Sequence, residues 1–160
     1  MDSFSVLTAK LSAEYKDYDT RIESGNDVDY FVIKNPYGNE DIRISDEDGI
    51  IFFFSSQHAH FDYFDDIDEN IECLIEYINS FLCGKQVAIM FFQGDTALFA
   101  GSSCMDDIDV SSGEALLKSF LGDSFSSLRK HFYKQLKGAD CRCSIRGWDS
   151  VCNMDIEFKL

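Results

Sequence analysis

The sequence predicts an α+β fold in which a mainly antiparallel sheet carries helices packed on one face, in the order α-βββ-α-ββ-α-ββ. Apolar residues recur at steps of three and four in some stretches, and in others they alternate with polar residues or form short unbroken runs. Turn-forming residues, among them glycine, asparagine, aspartate and the single proline, separate these segments. The chain contains no internal repeat and no linker, so we expect residues 1–160 to form a single domain.

A helix followed by three strands is predicted for the first third of the chain. Five apolar residues form one helical stripe over residues 3–18: Phe4, Leu7, Leu11, Tyr15 and Tyr18. The polar stretch Arg21–Asp27 predicts a loop. Three strands of an antiparallel meander then begin at Val28, Ile42 and Ile50. The last of them, Ile50–Phe54, is apolar on both faces, which predicts a position in the interior of the sheet.

The clearest helical pattern spans residues 67–82. Its apolar stripe consists of Ile67, Ile71, Leu74, Ile75, Ile78, Phe81 and Leu82. Asp68, Glu72 and Glu76 fall on the opposite side. Asp66 and Glu69 have the spacing of a capping box, and Gly84 is placed to end the helix.

The remaining segments predict a hairpin, more helix and two final strands. Val87–Phe92 and Ala97–Ala100 flank a turn at Gln93–Thr96. A short apolar helix follows over residues 115–121, and a second helical stripe consists of Phe125, Leu128, Phe132 and Leu136. Alternating patterns at residues 141–146 and 154–160 predict the last two strands.

Charge is distributed unevenly along the chain, whose net charge is −15. Residues 1–112 contain six lysines or arginines and 23 aspartates or glutamates, whereas residues 113–160 contain eight and six. Such an acidic protein repels phosphate backbones and anionic lipids, so we expect a basic protein partner rather than nucleic acid or a membrane. The apolar runs are too short to cross a bilayer and the N-terminus has no signal pattern, which indicates a cytoplasmic protein.

The basic residues near the C-terminus could form a nucleic-acid patch, but their charges could also pair within the chain. They are Arg129, Lys130, His131, Lys134, Lys137, Arg142 and Arg146. Because acids outnumber them elsewhere, we expect them to pair with the acidic helix.

His58, His60 and Asp62 form the most chemically suggestive run. If this run continues a strand, its three side chains point to one face, where they could hold a transition metal or act as acid and base. Cys104 follows a strand and could act as a nucleophile with one of the histidines as base. A plain alternative is that the histidine run is a polar rim and that Cys104 is a buried loop residue.

Other cofactor and metal motifs are missing from the sequence. It has no phosphate-binding glycine loop, no Gly-x-Ser-x-Gly and no Cys-x-x-Cys pair, so we expect no cofactor. Cys141 and Cys143 share one face of a predicted strand, where burial as small apolar residues is a simpler interpretation than a zinc site.

Aromatic and acidic residues are concentrated between Asp62 and Glu76. The run lacks the glycine and the alternating ligands of a calcium loop. Part of it is explained as a solvated helix face, but solubility alone does not require so many acids. We therefore predict a partner-binding surface formed by Asp62, Tyr63, Phe64, Asp65, Asp68, Glu69, Glu72 and Glu76.

In overall character the chain resembles the immunity proteins of bacterial polymorphic and contact-dependent toxin systems. The resemblance lies in its small size, its acidity, its α+β pattern and the segment HAHFDYFDDIDENIE, and it includes no diagnostic motif. It implies an inhibitor that binds a cognate toxin domain, often a basic nuclease, and blocks its active site. The alternatives are a small metal-dependent or Cys/His enzyme centred on His58, His60 and Asp62, and an adaptor domain that binds another protein.

Overall fold

The computed structural model describes residues 2–25, 27–121 and 138–159, which contain three α-helices and nine strands. The elements are α1 (Ser3–Glu14), β1 (Thr20–Gly25), β2 (Val28–Ile33), β3 (Ile42–Asp46), β4 (Ile50–Phe54), β5 (Gln57–Phe61), α2 (Ile67–Leu82), β6 (Gln86–Gln93), β7 (Thr96–Cys104), α3 (Gly113–Leu121), β8 (Asp140–Arg146) and β9 (Met154–Lys159). The predicted α+β class is confirmed. The helical stripe predicted from Phe125 to Leu136 lies outside the described residues.

The strands form two antiparallel sheets, whereas the sequence pattern predicted one. The first sheet has the order β1-β2-β3-β4-β5, so that β4 is an interior strand as predicted. The second has the order β7-β6-β8-β9. Every neighbouring pair in both sheets is antiparallel.

Strands β1 and β5 are additions to the predicted order. The loop predicted for Arg21–Asp27 is wrong, because most of this stretch belongs to β1, which pairs with β2 from Thr20↔Ile33 to Gly25↔Val28. Strand β5 pairs with β4 through a two-residue turn. The turns before β2 and before β5 each contain a residue other than glycine with a positive φ, 67° at Asp27 and 55° at Ser55. Two-residue hairpins favour this backbone region because it matches the twist of the strands.

The ends of the first two helices are fixed by local hydrogen bonds. Helix α1 begins after Asp2, whose carboxylate accepts a hydrogen bond from the Ser5 N–H at 2.8 Å, and it ends at Glu14, before the predicted Tyr18. Helix α2 follows its prediction closely. It ends before Gly84, whose φ of 74° is the left-handed conformation that commonly ends a helix.

The first hydrophobic core lies between the first sheet and helices α1 and α2. The helices contribute Leu7, Leu11, Ile71, Leu74, Ile78 and Phe81, and Tyr15, the C-cap residue of α1, adds its side chain. The sheet contributes Phe31, Ile33, Ile42, Ile44, Ile50, Phe52, Phe54 and Phe61. The sheet residues alternate along each strand, which places them all on one face. This arrangement agrees with the prediction that helices pack on one face of a sheet.

A second core lies between α3 and the second sheet. Leu116 and Leu117 of the helix pack with Val87, Ile89, Phe91, Cys143 and Ile145 of β6 and β8. Ala88 of β6 points to the other face of that sheet and belongs to the first core. In the part of the chain that the structure describes, no helix combines the length and the apolar composition needed to cross a membrane.

A chain of hydrogen bonds connects the two sheets through α2. The Gln57 side-chain amide on β5 donates to the Tyr77 hydroxyl at 2.9 Å, and that hydroxyl lies 2.7 Å from the hydroxyl of Ser102 on β7. Gln86 on β6 donates to Ser102 at 2.9 Å. Gln57 is buried, so these bonds compensate part of the cost of removing its amide from water.

Candidate partner-binding surface

The loop between β5 and α2 is held at both ends. On one side, Phe61 at the end of β5 is buried in the first core. On the other, Asp66 caps α2 by accepting a hydrogen bond from the Asp68 N–H at 2.8 Å. Asp66 is therefore confirmed as the N-cap residue, but the described residues show no capping-box bond between Asp66 and Glu69. Acids in this first turn also interact favourably with the positive end of the helix dipole.

Asn70 fixes the middle of the same loop. Its side-chain oxygen accepts a hydrogen bond from the Phe64 N–H at 3.1 Å, and its side-chain nitrogen donates to the Phe64 carbonyl at 2.8 Å. Asn70 is 7% exposed, so these two hydrogen bonds form away from bulk water. The backbone at Phe64 is consequently tied to α2 in a single arrangement.

The fixed loop presents two aromatic side chains to solvent. Tyr63 is 69% exposed and Phe64 is 47% exposed. The Tyr63 ring lies edge-on to the buried Phe61 ring, with 6.1 Å between centroids. Two neighbouring exposed aromatics next to a hydrophobic core are typical of a surface that binds another molecule.

Carboxylates surround this aromatic pair and continue along α2. Asp62, Asp65, Asp68, Glu69, Glu72 and Glu76 are all exposed. Asp68, Glu72 and Glu76 are spaced by four residues and form one ridge along the helix. We call Asp62, Tyr63, Phe64, Asp65, Asp68, Glu69, Glu72 and Glu76 together the acidic–aromatic surface.

Only one of these carboxylates forms an ion pair within the described residues. Asp68 lies 2.8 Å from the Lys10 ammonium of α1. The other recorded ion pairs on the N-terminal side are remote from α2: Arg21 and Arg43 with Glu23, and Lys34 with Asp41. Within the described residues, the other carboxylates of the acidic–aromatic surface therefore have no ion-pair partner.

The described basic residues near the C-terminus do not neutralise α2. Arg146 binds both oxygens of the Asp155 carboxylate, at 2.9 and 2.8 Å, and lowers the pKa of Asp155. Arg142 lies over the Phe92 ring, 4.2 Å from its centroid. For these two arginines the predicted pairing with the acidic helix is wrong, because they pair within the second sheet. Residues Arg129, Lys130, His131, Lys134 and Lys137 lie outside the described part of the chain.

His58 and His60 lie on one face of β5, as predicted. Both are exposed, and their ring centroids are 5.4 Å apart. They lie on the face of the first sheet opposite the helices, while Asp62 follows the end of the strand. In residues 2–25, 27–121 and 138–159, no three His, Cys, Asp or Glu side chains are arranged to hold a metal ion. The structure therefore adds no support to the alternative metal site of His58, His60 and Asp62.

All six cysteines are free thiols, and two of them are buried. Cys104 ends β7 in the second sheet, and no recorded hydrogen bond joins it to His58 or His60 among the described residues. Cys141 and Cys143 are buried, as predicted. Burial is the main cause that raises the pKa of the Cys143 thiol to about 12, so this thiol remains protonated near neutral pH and is a poor ligand or nucleophile.

Comparison with protein-family models, curated proteins and solved structures found no match. The assignment of function consequently depends on the physical properties of the surface itself.

The sequence prediction missed the residue that organises this surface. Asn70 lies three residues after Ile67 and immediately before Ile71, within the apolar stripe of α2. A polar residue in an apolar stripe requires a hydrogen-bond partner when it is buried, and this is the signal that could have identified it. Lys10 gave no such signal, because its ion pair with Asp68 depends on the packing of α1 beside α2.

Proposed function

We propose that this protein is an immunity-type inhibitor that binds a basic cognate toxin domain through the acidic–aromatic surface. One observation supports this proposal above the others. Tyr63 and Phe64 are exposed on a loop whose backbone Asn70 fixes, and adjoining carboxylates have, apart from Asp68, no ion-pair partner among the described residues. A generic protein-binding adaptor would use the same surface but would not protect a cell from its partner.

The two aromatic residues would provide most of the contact energy. A tyrosine or phenylalanine that enters a pocket of a partner removes a large apolar area from water. Because Asn70 already orders the backbone at Phe64, little loop entropy is lost on binding. Substitution of such an anchor commonly costs ~2 kcal/mol or more, which corresponds to a roughly 30-fold loss of affinity.

The carboxylates would determine how fast a partner arrives and which partner is accepted. A surface of one sign attracts an oppositely charged protein and raises the rate of association, and salt weakens this attraction. Such a surface can also cover a cationic cleft that otherwise holds a phosphate backbone. An acidic protein that occludes the cleft of a basic nuclease would inhibit it in this way.

The first experiment identifies the partner and tests its toxicity. The wild-type chain is used to capture proteins from a lysate of its native cell, and a captured protein is then expressed alone. The proposal requires that this protein be basic, that its expression arrest growth, and that co-expression of the wild-type chain restore growth. Capture of an acidic or harmless protein would contradict the inhibitor proposal.

The second experiment tests the surface with matched charge variants. Glu72→Lys with Glu76→Lys changes the acidic–aromatic surface, and Asp106→Lys with Asp107→Lys makes the same change of charge at exposed sites after β7. We expect the first pair to weaken binding at least about tenfold and to flatten its salt dependence. The control pair should change affinity much less, and Phe64→Ala should abolish protection. Equal effects of the two pairs would show that net charge, and not this surface, governs binding.

A further inference from the structure

Strand β1 forms one edge of the first sheet, and β5 forms the opposite edge. Strand β1 pairs with β2 on one side, and β2 lies between β1 and β3, so the other side of β1 has no neighbouring strand in the described part of the chain. Ile22 in its centre is 59% exposed, although its cross-strand partner Phe31 is buried in the first core. Exposed edge strands bind further strands unless charge, proline or a bulge prevents it.

The direction of the backbone groups on β1 follows from the ladder with β2. The Lys34 N–H donates to the Asp19 carbonyl at 2.9 Å, which makes this pair a hydrogen-bonded one. Hydrogen-bonded and non-hydrogen-bonded pairs alternate along an antiparallel ladder. Arg21 and Glu23 therefore direct their backbone groups toward β2. Three residues direct their N–H and C=O groups outward, namely Thr20, Ile22 and Ser24.

The side chains of β1 are self-complementary about Ile22. When two copies of β1 pair antiparallel with Ile22 opposite Ile22, Arg21 of each copy lies opposite Glu23 of the other. The same pairing places Thr20 opposite Ser24. All three outward-facing residues then meet outward-facing residues, so the ladder can close completely. The arginine and glutamate fall in the non-hydrogen-bonded pairs, where side chains lie closest together.

Neighbouring registers do not have this property. If the pairing shifts by one residue, the outward-facing N–H and C=O groups of one copy meet residues of the other copy whose N–H and C=O groups are already bonded to β2. A shift of two residues restores the backbone match, but it places two Arg21 residues or two Glu23 residues opposite each other, which is unfavourable. At β9, an edge strand of the second sheet, symmetric pairing of Asp155 with Lys159 would place the two copies of Glu157 face to face.

We infer that the protein forms a symmetric dimer in which two β1 strands pair antiparallel about Ile22 and join the two five-stranded sheets. The two Ile22 side chains meet on the helix-covered side of the joined sheet. On the other side, the Arg21 guanidinium now donates a hydrogen bond to Glu23 of its own chain. In the dimer it donates to Glu23 of the second copy, either instead or in addition. Arg43, 3.2 Å from Glu23, adds a positive charge beside each pair.

This dimer must form against the repulsion of two chains that each carry a charge of −15. Helix α2, which carries many of the carboxylates, contacts β4 and β5, and β2 and β3 separate these strands from β1. Salt at about 0.15 M screens charges over roughly 8 Å. We therefore expect dimerisation to be concentration-dependent and to be strongest at moderate rather than very low ionic strength. The dimer does not depend on the acidic–aromatic surface, so it can be tested whether or not a toxin partner exists.

Sedimentation velocity over a series of protein concentrations measures the dimer directly. We expect Arg21→Glu alone and Glu23→Arg alone each to weaken self-association at least about tenfold, because each sets like charges opposite each other. An equimolar mixture of the two variants should form a heterodimer, since every charged pair is then complementary. Ile22→Lys, at an exposed position, should also disrupt self-association, and Glu157→Lys on β9 should not.

The mixture of the two charge variants gives the decisive result. Circular dichroism and thermal unfolding of each variant separate loss of dimer from loss of fold. A wild-type chain that remains monomeric up to millimolar concentration would overturn the inference. The β1 edge would then be a site for an extended segment of another protein rather than for a second copy. A pair of variants that fold but do not associate when mixed would also overturn it.

Discussion

The two faces of α2 lie on one helix of sixteen residues but differ in burial and in charge. Ile71, Leu74, Ile78 and Phe81 on the inner face are 0% exposed and contact the first sheet. Asp68, Glu72 and Glu76 on the outer face are exposed, and within the described residues only Asp68 has an ion-pair partner. The inner face therefore determines stability, whereas the outer face is free to vary with a partner. Variants that separate these roles test the proposed function most directly.

The largest effect is expected on the inner face. Phe81 lies against three rings, with centroid distances of 5.2 Å to Phe52, 5.3 Å to Phe54 and 5.3 Å to Tyr77. Phe81→Ala leaves a cavity among them, so we expect a loss of ~3–5 kcal/mol in the free energy of unfolding. Urea denaturation measures this loss. Glu72→Ala on the outer face is the control and should change the same free energy by about 0.5 kcal/mol or less. Similar losses in both variants would contradict the division between the faces.

Asn70 supports both the fold and the loop that carries the acidic–aromatic surface. Its substitution should reduce the free energy of unfolding by less than Phe81→Ala does. Asn70→Ala removes both hydrogen bonds to the Phe64 backbone, and we expect it to cost ~1–3 kcal/mol because the site is buried. Hydrogen exchange should also become faster at the Phe64 amide, while the Leu74 amide within α2 changes only as much as global stability requires. If exchange at Phe64 does not change, Asn70 does not order the loop. Binding of a partner should then be insensitive to this substitution.

The same contrast explains what could be predicted from the sequence. The apolar stripe of α2 and its ends were predicted correctly, because a repeat of 3.6 residues and a capping residue are local signals. Strand β1 was missed because only one apolar residue, Ile22, interrupts its polar residues. Its turn to β2 has a positive φ at Asp27 rather than at a glycine, so the usual hairpin signal was also absent.

Long-range pairing was less predictable than local structure. The division into two sheets depends on β8 pairing with β6 rather than with a strand of the first sheet, and no local pattern specifies this choice. For the candidate site, exposure of Tyr63, Phe64 and the acids agreed with the expectation of a surface. Asn70 binds Phe64, only six residues before it, and its position in the apolar stripe of α2 is the local signal that could have identified it. The contact of the partly buried Tyr77 with Ser102, by contrast, joins residues 25 apart in the chain. Composition and periodicity contain no information on such contacts.

Tyr77 places a polar hydroxyl on the inner side of α2, where the other core side chains are apolar. Tyr77→Phe keeps the ring contacts with Phe52 and Phe81 but removes the hydroxyl that joins Gln57 to Ser102. We expect a loss of ~1–2 kcal/mol, because the buried Gln57 amide loses its recorded partner. Urea denaturation measures the loss. Tyr37→Phe, at an exposed tyrosine, is the matched control and should be close to neutral.

Alkaline pH provides a second test of Tyr77. Burial, the main cause, raises the pKa of its hydroxyl, although hydrogen bonds from Ser102 and Gln57 act in the opposite direction. Burial also raises the pKa of Tyr15. Above about pH 10 the unfolded chain thus loses tyrosine protons that the folded chain retains, and stability falls as pH rises. Tyr77→Phe should reduce this fall. An unchanged pH dependence in Tyr77→Phe would contradict the burial of this hydroxyl.

The smallest change in stability is expected on the outer face of α2. Glu72→Lys with Glu76→Lys reduces the negative charge of a ridge that the described residues do not neutralise. We expect the free energy of unfolding to change by about 0.5 kcal/mol or less, and to rise rather than fall at low salt because repulsion along the helix is reduced. Thermal unfolding at low and high salt measures both the size and the sign. A loss comparable to that of Phe81→Ala would show that these glutamates support the fold, and any loss of partner binding in the same variant could then be caused by unfolding. A small rise together with weakened binding separates the two faces, because stability and recognition then respond in opposite directions to the same substitutions.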